Sequence, residues 1–331
     1  MALRWGILST ANIGRKVVTP AIQGSRSSVV VAVASRDGAQ ARHYAEDLGI
    51  PRHYGSYEAL LEDPEVDAIY NPLPNSLHLP WTLKALAAGK HVLCEKPLGL
   101  SADECREMVR AAEEAERVLM EAFMYRFHNR TQKLLKLTQD GTLGTLRLIR
   151  ARFAFTVSDP GNIRLDSDLG GGALMDVGCY CVNVSRSIAG AEPITVQARA
   201  TWVQGVDETL SATLNFKNGL VAQIDCALNQ PRFEKLEVFG TEGYCEVDAA
   251  FLPGVGETTL KLTLRDSEAK HLSFPGHNQY QTMVEHFSGC VLQKRPVRYS
   301  ALEAMDNIAV IEAVYRSARD HQATESVEQV I

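Results

Sequence analysis

Short apolar segments alternate with helix-forming segments along the first 123 residues, and this alternation limits the chain to a few folds. The apolar segments are Leu3–Leu8, Val29–Ala34, Asp67–Tyr70, His91–Leu93 and Leu119–Phe123. They are typical of buried β-strands, and the intervening segments are long enough to return across a sheet as helices. Because strands joined by helical crossovers run parallel, the pattern predicts a doubly wound parallel sheet of the α/β class.

From Thr145 onward the pattern changes to alternating polar and apolar residues, which is typical of strands with one covered face. Asn218-Gly219 is a hairpin turn signal, and Gly240–Gly243 is a second. The alternating runs cover 146–155, 195–204, 210–216, 221–228, 235–239, 244–247, 260–264 and 270–274, with helices predicted over 279–292 and 301–318. We therefore predict two domains: residues 1–123, and an α+β domain over 124–331 with a large, mostly antiparallel open sheet.

The composition excludes several classes of partner. The 331 residues carry a formal net charge of −6 and contain no basic run, which argues against a nucleic-acid partner. No signal-peptide pattern opens the sequence and no apolar run approaches membrane-spanning length, so we expect a cytoplasmic protein without a membrane partner. The seven cysteines include no C-x-x-C pair, and the spacing of Cys179 and Cys181 does not fit zinc. We interpret them as reduced core cysteines and expect no metal.

The loop after the first strand is a candidate phosphate-binding turn. A dinucleotide fingerprint places glycines so that a pyrophosphate can approach the amino end of the following helix. Here Ser9 and Ala11 occupy the first two glycine positions and only Gly14 remains, but both replacements are small. Ser9 or Asn12 adds a hydrogen-bond donor. The strand–turn–helix context predicts cofactor binding by five consecutive residues, Ser9, Thr10, Ala11, Asn12 and Ile13.

The end of the second strand indicates which dinucleotide binds. An NAD-selective fold usually carries an acidic residue about 20 positions beyond the glycine motif. That position falls near Ser35, and Arg36 follows it. A hydroxyl and a guanidinium suit a 2′-phosphate, to which arginine can donate two hydrogen bonds. Asp37 keeps the NAD alternative open, and a surface position for Arg36 is the structural alternative. We predict that Ser35 and Arg36 bind the cofactor, with NADP(H) preferred and NAD(H) possible.

Glu95-Lys96-Pro97 directly follows a buried strand, and Ser101 and Glu104 then form a capping box for the next helix. In open α/β sheets ligands bind beyond the carboxyl ends of the strands, so we expect Lys96 to reach that edge. A solvated turn is the alternative. His78 falls in the first turn of the helix that follows the preceding strand, at the same edge as Lys96, and a structural role is favoured over a catalytic one. The predicted cofactor contacts at this edge are Pro72, Asn75, His78, Glu95 and Lys96.

A glycine-rich loop and a helix interrupt the second sheet. Gly170-Gly171-Gly172 allows a close approach of the backbone and leaves the amino end of the next helix open to an acceptor. Asp176 and Tyr180 lie four residues apart, on one face of this helix. Gly178 costs about 1 kcal/mol of helix stability against alanine, which indicates tight packing. A glycine-rich turn beside an ordinary core helix is the alternative. The candidate substrate-binding residues are Arg126, Asn162, Arg164, Asp176 and Tyr180.

Taken together, Glu95-Lys96-Pro97 and the stretch from Gly170 to Tyr180 resemble the Gfo/Idh/MocA oxidoreductase family, and the resemblance covers nearly the whole chain. It implies a Rossmann domain, a second domain with an open antiparallel sheet, and a homodimer or homotetramer formed through that sheet. Lys96, Asp176 and Tyr180 match the family's catalytic positions, and the Lys96–Pro97 bond is implied to be cis. Many members of the family carry a histidine where this chain has Tyr180. In having a tyrosine there, the chain is similar to the branch of glucose–fructose oxidoreductase, dihydrodiol dehydrogenase, NADP-dependent xylose dehydrogenase and ketosugar reductase.

The expected reaction is hydride transfer between NADP(H) and a sugar or ketosugar. We expect Tyr180 to exchange the proton, Lys96 to lower the pKa of Tyr180 and polarise the substrate oxygen, and Asp176 to orient a substrate hydroxyl. Polar residues around Asp176 favour a sugar, whereas an apolar pocket of aromatic residues would favour a cyclic diol and a dihydrodiol dehydrogenase. A non-enzymatic regulator that senses NADP is a further alternative, but it would have no use for Lys96 and Tyr180 together.

Overall fold

The computed structural model of the protein describes residues 2–320 and 323–328. The strands are β1 Leu3–Leu8, β2 Ser28–Ala34, β3 Arg52–Tyr54, β4 Ala68–Asn71, β5 His91–Cys94, β6 Leu119–Glu121, β7 Leu146–Thr156, β8 Pro193–Val203, β9 Val206–Phe216, β10 Val221–Ala227, β11 Asn229–Gly240, β12 Gly243–Asp248, β13 Thr258–Leu264, β14 Lys270–Phe274 and β15 Glu325–Ser326. The α-helices are α1 Thr19–Gln23, α2 Gly38–Leu48, α3 Tyr57–Leu61, α4 His78–Ala87, α5 Ala102–Glu114, α6 Asn129–Gln139, α7 Cys179–Ala189, α8 Gln279–Gln293 and α9 Leu302–Arg319. Two π-helical turns, Gly14–Val18 and Leu174–Gly178, lead directly into α1 and α7.

The first sheet contains six parallel strands in the order β3-β2-β1-β4-β5-β6. The chain runs outward from β1 through β2 and β3, and then returns to the other side of β1 for β4, β5 and β6. This confirms the predicted doubly wound sheet. Ile7 and Leu8 in β1 lie on opposite faces and are both fully buried, as expected for a strand that is covered on both faces. In such sheets ligands bind where the strand order reverses, at the carboxyl ends of β1 and β4.

The second sheet contains nine strands in the order β14-β13-β12-β11-β7-β10-β9-β8-β15. Only β7 and β10 pair in parallel, so the prediction of a mostly antiparallel sheet is confirmed. The predicted hairpin turn at Asn218-Gly219 joins β9 to β10, and Gly219 has a φ of +79°. The turn after Gly240 joins β11 to β12. The two-residue strand β15 had no signal in the sequence.

The chain divides into two compact units, Met1–Met124 with Asn278–Met305, and Tyr125–His277 with Asp306–Ile331. The break after residue 124 lies next to the predicted boundary, but the assignment of α8 to the second domain differs from this division. Phe287 of α8 packs on Trp5 of β1, with ring centroids 5.0 Å apart, and the hydroxyls of Ser28 and Ser288 lie 2.7 Å apart. A periodic helix pattern does not show which sheet the helix covers, so the sequence could not assign it.

Three further findings concern the classes of protein considered above. Within residues 2–320 and 323–328, no helix is long and apolar enough to cross a membrane. No group of three or more His, Cys, Asp or Glu side chains in that part of the chain is arranged to hold a metal ion. All seven cysteines are buried and free. Burial raises the pKa of the thiols of Cys94, Cys181 and Cys226, which keeps them protonated and inert.

Candidate active site

The turn after β1 forms without the first glycine of a dinucleotide fingerprint. Ser9 adopts the left-handed conformation with a φ of +75°, and its amide donates to the carbonyl oxygen of Ala34 at 2.9 Å. Its hydroxyl accepts a hydrogen bond from the amide of Ala11 at 3.3 Å. A helical segment begins at Asn12, so the first amides have no partner within the helix. Thr10, Ala11 and Ile13 are partly exposed beside it. Small side chains and open amides fit the pyrophosphate of a dinucleotide.

Gly14 serves packing rather than the turn itself. A Cβ atom at this position would lie 3.1 Å from the hydroxyl oxygen of Tyr44, which is closer than ordinary van der Waals contact. The same hydroxyl lies 2.9 Å from that of Thr19 in α1. The one glycine that remains of the fingerprint therefore lets α2 pack closely against the helix that follows β1.

The end of β2 presents an exposed arginine and a carboxylate that is already engaged. Asp37 caps α2, because its carboxylate accepts hydrogen bonds from the amides of Ala39 at 2.9 Å and Gln40 at 3.2 Å. Ser35 is buried, and its hydroxyl accepts from the amide of Asp37 at 3.2 Å. Arg36 is exposed. The carboxylate of Asp37, which kept the NAD alternative open, therefore caps α2. The exposed Arg36 remains as a cation at this edge of the sheet.

Glu95 and Lys96 do not form a freely solvated turn. The hydroxyl of Tyr70 donates to the Glu95 carboxylate at 2.6 Å, and both Glu95 and Lys96 are only partly exposed. The amide of Leu98 donates to the carboxylate of Glu121 at 2.8 Å, which fixes the chain just after Lys96. The Lys96–Pro97 peptide bond is cis, as the resemblance implied. The structure therefore supports an ordered position for Lys96 at the carboxyl end of β5.

His78 is a structural residue in this arrangement. It is fully buried, and its ring nitrogens lie 2.8 Å from the carbonyl oxygens of Pro97 and Leu73. Burial lowers the pKa of His78 to about 4, against the opposing effect of the two carbonyl groups. The ring therefore ties the loop after β4 to the Lys96–Pro97 segment, and its predicted contact with a cofactor is not supported. Pro72 is also buried, while Asn75 is partly exposed in the 3₁₀ turn Asn75–Leu77 that precedes α4.

In the second unit, the Gly170–Gly172 loop folds back on the segment before it. The amides of Gly171 and Gly172 donate to the carbonyl oxygens of Asp166 and Arg164 at 2.9 and 2.8 Å. A Cβ atom on Gly171 would lie 2.5 Å from the carbonyl oxygen of Arg164, and Gly172 has a φ of +117°. Only glycine suits such a conformation and such close contact. The loop leads into the helical stretch 174–189, which carries Asp176 and Tyr180.

Asp176 forms a polar cluster with two residues of the loop before it. The guanidinium of Arg164 donates to the Asp176 carboxylate at 2.6 Å. The side-chain oxygen of Asn162 accepts from the amide of Arg164 at 3.1 Å and so holds that residue in place. Arg164 also lies over the ring of Phe155, at 5.7 Å from its centroid. Three of the predicted substrate-binding residues are therefore brought together, with Asp176 and Arg164 both partly exposed.

Tyr180 follows one turn later and packs against buried aromatic rings. Its ring centroid lies 5.3 Å from that of Phe251, 5.5 Å from that of Phe153 and 5.8 Å from that of Tyr125. These three partners have almost no exposed surface. Gly178, on the same stretch of helix, would place a Cβ atom 2.7 Å from the sulfur of Cys226. The tight packing that this glycine predicted is thus against β10. Arg126, the remaining predicted substrate-binding residue, is buried in the 3₁₀ turn Met124–Phe127.

Two residues of this region were missed from the sequence. Asp207 of β9 is fully buried, and its carboxylate accepts hydrogen bonds from the amide of Leu174 and the hydroxyl of Tyr315, each at 2.7 Å. The acceptor that the glycine-rich loop predicted for this helix is therefore a carboxylate of the protein itself. Asp207 and Tyr315 lie 33 and 141 residues from Leu174 along the chain, so no local motif could have linked them.

Comparisons with known proteins agree with the fold of both units. The family model described as "Oxidoreductase family, NAD-binding Rossmann fold" matches residues 3–123. The model of the GFO/IDH/MocA C-terminal domain matches residues 131–246. Together they cover the β1–β6 sheet with its loops and much of the second sheet, including Asp176 and Tyr180.

Similar proteins cover three quarters or more of the chain. D-xylose 1-dehydrogenase (NADP(+)) 2 of Haloferax volcanii is 39% identical over 98% of this chain and 99% of its own length. The mouse trans-1,2-dihydrobenzene-1,2-diol dehydrogenase is 38% identical over 76% of this chain and 77% of its own. The crystal structure of aldose-aldose oxidoreductase from Caulobacter crescentus superimposes with a TM-score of 0.91 at 30% identity, covering 98% of this chain and 100% of that one. With its doubly wound first sheet and open second sheet, the chain belongs to the Gfo/Idh/MocA family of oxidoreductases, whose first domain binds a nicotinamide dinucleotide.

Proposed function

We propose that the protein is an NADP(H)-dependent oxidoreductase that transfers hydride between the nicotinamide and a sugar or ketosugar. The observation that carries this proposal is the helix with Asp176 and Tyr180, in which a carboxylate held by Arg164 precedes a tyrosine by one turn. A carboxylate beside a guanidinium can bind vicinal hydroxyl groups, and a tyrosine can exchange a proton. The similarity to an NADP-dependent D-xylose dehydrogenase along nearly the full length of both chains supports the same class.

The preference for NADP(H) rests on the end of β2. The Oδ1 atom of Asp37 accepts both hydrogen bonds described above, so this oxygen is engaged in capping α2. The exposed guanidinium of Arg36 follows Ser35 directly and suits a 2′-phosphate, to which it can donate two hydrogen bonds. Ser9, Thr10, Ala11, Asn12 and Ile13 would hold the pyrophosphate. Pro72, Asn75 and Glu95 would shape the edge of the site at the ends of β4 and β5.

The nicotinamide supplies or accepts the hydride, so the residues of the chain have to orient the substrate and move one proton. Tyr180 exchanges the proton of the reacting hydroxyl. Lys96 polarises the substrate oxygen and favours the ionised form of the tyrosine, since a nearby cation lowers the pKa of a phenol. Asp176, fixed by Arg164, orients a neighbouring hydroxyl of the substrate. Asn162 and Arg126 contribute to binding of the sugar.

The choice between a sugar and a cyclic diol follows from which side chains are accessible. Phe153, Phe251 and Tyr125 surround the ring of Tyr180, but they are buried and offer almost no surface to a ligand. Arg164 and Asp176 are polar and partly exposed. This favours a polyhydroxylated substrate over an aromatic diol, although the similarity to a dihydrodiol dehydrogenase keeps a diol as the second candidate. A non-enzymatic sensor is disfavoured because the chain belongs to an oxidoreductase family.

The test is a fluorescence titration with NADPH and NADH, followed by a panel of aldoses, ketosugars and trans-dihydrodiols monitored at the nicotinamide absorbance. We expect tighter binding of NADPH and turnover on at least one sugar. Turnover on dihydrodiols alone would replace the sugar with the second candidate. Binding of NADPH without turnover on any compound would favour the non-enzymatic sensor. A failure to bind either dinucleotide would reject the assignment of the turn after β1 as a phosphate-binding turn.

We also propose that the protein forms a homodimer or homotetramer through the face of the second sheet that carries Phe233, Phe239 and Tyr244. Phe233 is 45% exposed, and the rings of Phe239 and Tyr244 stack at 5.5 Å. Arginine side chains lie over Phe233 and Phe239. Aromatic residues with arginine are enriched in interfaces. Light scattering should give a multiple of the 36.4 kDa chain mass, and Phe239→Glu should shift it toward the monomer. A wild-type monomer would reject the proposal.

A further inference from the structure

The helix that carries Asp176 and Tyr180 begins on a buried carboxylate. The π-helical turn Leu174–Gly178 runs directly into α7. π-Helical turns inside helices are rare and occur frequently at functional sites. The amide of Leu174, in the first turn, donates to the Oδ2 atom of Asp207 at 2.7 Å. The position of this first turn sets the rotation of the helix, and therefore the direction in which Asp176 and Tyr180 project.

The carboxylate of Asp207 is fixed on both of its oxygens. Oδ1 accepts from the hydroxyl of Tyr315 in α9 at 2.7 Å, while Oδ2 takes the amide of Leu174. Gly172 lets the carboxylate approach the backbone, because a Cβ atom there would overlap Oδ1 and lie 3.0 Å from the Tyr315 hydroxyl. The contact thus joins β9, α9 and the glycine-rich loop at one point. Gly172, Asp207 and Tyr315 are far apart in sequence. All three contribute to the contact at the amino end of this helix.

Burial makes the ionised form of the Asp207 carboxyl less favourable than it would be in water. Asp207 is fully buried, and burial raises its pKa to about 6, against the opposing hydrogen bonds from Tyr315, Leu174 and its own amide and the charge of Arg319. The thiol of Cys226 on β10 also interacts with Asp207, and burial keeps this thiol protonated. Asparagine has nearly the same shape but only one accepting oxygen, so it would satisfy one of the two donors and turn an amide toward the other.

We propose that Asp207 is a positioning residue for the oxidoreductase reaction. Its carboxylate holds the amide of Leu174 and thereby fixes the helix that presents Asp176 and Tyr180. This inference rests on the roles assigned to those two residues in the proposed function. Tyr315 supports Asp207 in turn, by donating to its second oxygen and favouring its ionised form. Misplacement of reacting groups by about 1 Å can reduce turnover by about 10²-fold, so a residue that touches neither substrate nor cofactor can still control the rate.

The experiment compares Asp207→Asn and Tyr315→Phe with a matched pair in the first unit. Asp63 also lies buried, and its carboxylate accepts from the hydroxyl of Tyr54 at 3.0 Å and the amide of Glu65 at 2.8 Å. Asp63→Asn and Tyr54→Phe therefore remove the same kinds of hydrogen bond from a place that has no part in the reaction. For all four variants we would measure thermal stability, affinity for NADPH, KM for the sugar and kcat between pH 5 and 9.

We expect Asp207→Asn to lower kcat by about tenfold or more with unchanged affinity for NADPH, while Asp63→Asn keeps normal kcat. In the wild type, protonation of Asp207 weakens its hold on Leu174, so kcat should fall as the pH drops through about 6. Asp207→Asn should lack this acid limb. In Tyr315→Phe the lost hydrogen bond raises the pKa of Asp207, which should move the limb to higher pH. A purely structural role would not move the pH profile.

Normal kcat and an unchanged pH profile in Asp207→Asn would overturn the inference, as would a loss of stability alone in both variants. If Asp207→Asn does not fold, the shift of the acid limb in Tyr315→Phe decides, and its absence counts against the inference. A Tyr180→Phe variant separates this from the proposed function. Normal turnover in Tyr180→Phe rejects the proton-transfer role, whereas an inactive Tyr180→Phe beside a fully active Asp207→Asn rejects positioning.

Discussion

The carboxyl edge of the first sheet and the helix of Tyr180 are built in different ways. At the edge of the first sheet, several of the contacts that shape the loops after β1 and β2 join residues only a few positions apart, as between Ser9 and Ala11 or Asp37 and Ala39, although the amide of Ser9 also donates to Ala34. The helix of Tyr180 is anchored by Asp207 and Tyr315, which come from a strand and a helix much later in the chain. Contacts between residues close in the chain produce a motif that can be recognised in the sequence, whereas contacts between distant residues do not.

The difference corresponds to a division of labour in the proposed reaction. Loops after parallel strands can present amides and a cation to a dinucleotide with little help from the rest of the chain. A group that exchanges a proton needs a more exact position, which packing and hydrogen bonds from several elements supply. Changes at Tyr180 and at the contacts that hold its helix should therefore affect turnover, and changes in the loops after β1 and β2 should affect cofactor binding.

The largest effect should come from Tyr180→Phe. Loss of the hydroxyl removes the proposed proton exchange, so kcat should fall by about 10²–10⁴-fold, while the affinity for NADPH in a fluorescence titration stays near normal. Tyr54→Phe, which removes a partly buried hydroxyl in the first unit, should keep normal kcat. If Tyr180→Phe kept turnover close to that of the wild type, Tyr180 would not be the group that exchanges the proton. The proposed difference between the two regions would then be wrong.

The sequence was informative where chemistry and local geometry coincide. Strand patterns predicted both sheets, and Glu95-Lys96-Pro97 was placed correctly at the end of a buried strand. Gly178 predicted tight packing, which the contact with Cys226 explains. The structural role weighed for His78 is confirmed by its contacts with the carbonyl oxygens of Pro97 and Leu73, which the sequence could not show. The assignment of α8 differed for a similar reason: its partner, Trp5, lies more than 270 residues earlier.

His78 should make the stability of the first unit depend on pH. Its pKa is lowered to about 4 by burial, whereas an unfolded histidine titrates near 6.5. The unfolded state therefore takes up the proton first as the pH falls, and the stability that neutral His78 contributes above pH 6.5 is lost as the pH approaches 4. Over this window the free energy of unfolding should decrease by about 3 kcal/mol more in the wild type than in His78→Gln. Denaturant titrations at pH 7 and pH 4 measure the difference.

The exposed His53 provides the control, since His53→Gln removes a histidine of the same unit whose side chain is in contact with water. Equal pH dependence in the wild type and His78→Gln would show that the histidine is not kept neutral between the carbonyl groups of Pro97 and Leu73. The loop after β4 would then be held by other contacts, and its order would not depend on this ring.

Arg36→Ala should change the choice of cofactor without changing the chemistry. A charge-assisted pair with a phosphate contributes about 1.5–3 kcal/mol, which corresponds to a loss of about 10- to 150-fold in NADPH affinity. NADH lacks the 2′-phosphate, so its affinity should hardly change, and kcat at saturating NADPH should stay near normal. Arg42→Ala removes an arginine of α2 that pairs with Glu46 and should affect neither dinucleotide. Equal losses for NADPH and NADH would place Arg36 elsewhere in the site.

The smallest effect should come from Arg164→Gln. The ion pair with Asp176 is short, but Arg164 is 37% exposed, so water screens the interaction and the loss should stay within about 1 kcal/mol. Because Asp176 remains to bind a hydroxyl, we expect KM for the sugar to rise by about two- to fivefold with little change in kcat or NADPH affinity. Arg232→Gln, which breaks a similar pair with Glu234, should leave KM unchanged. A large fall in kcat instead would mean that Arg164 holds Asp176 for the chemical step, and that the second unit depends on its loop as strongly as on Asp207.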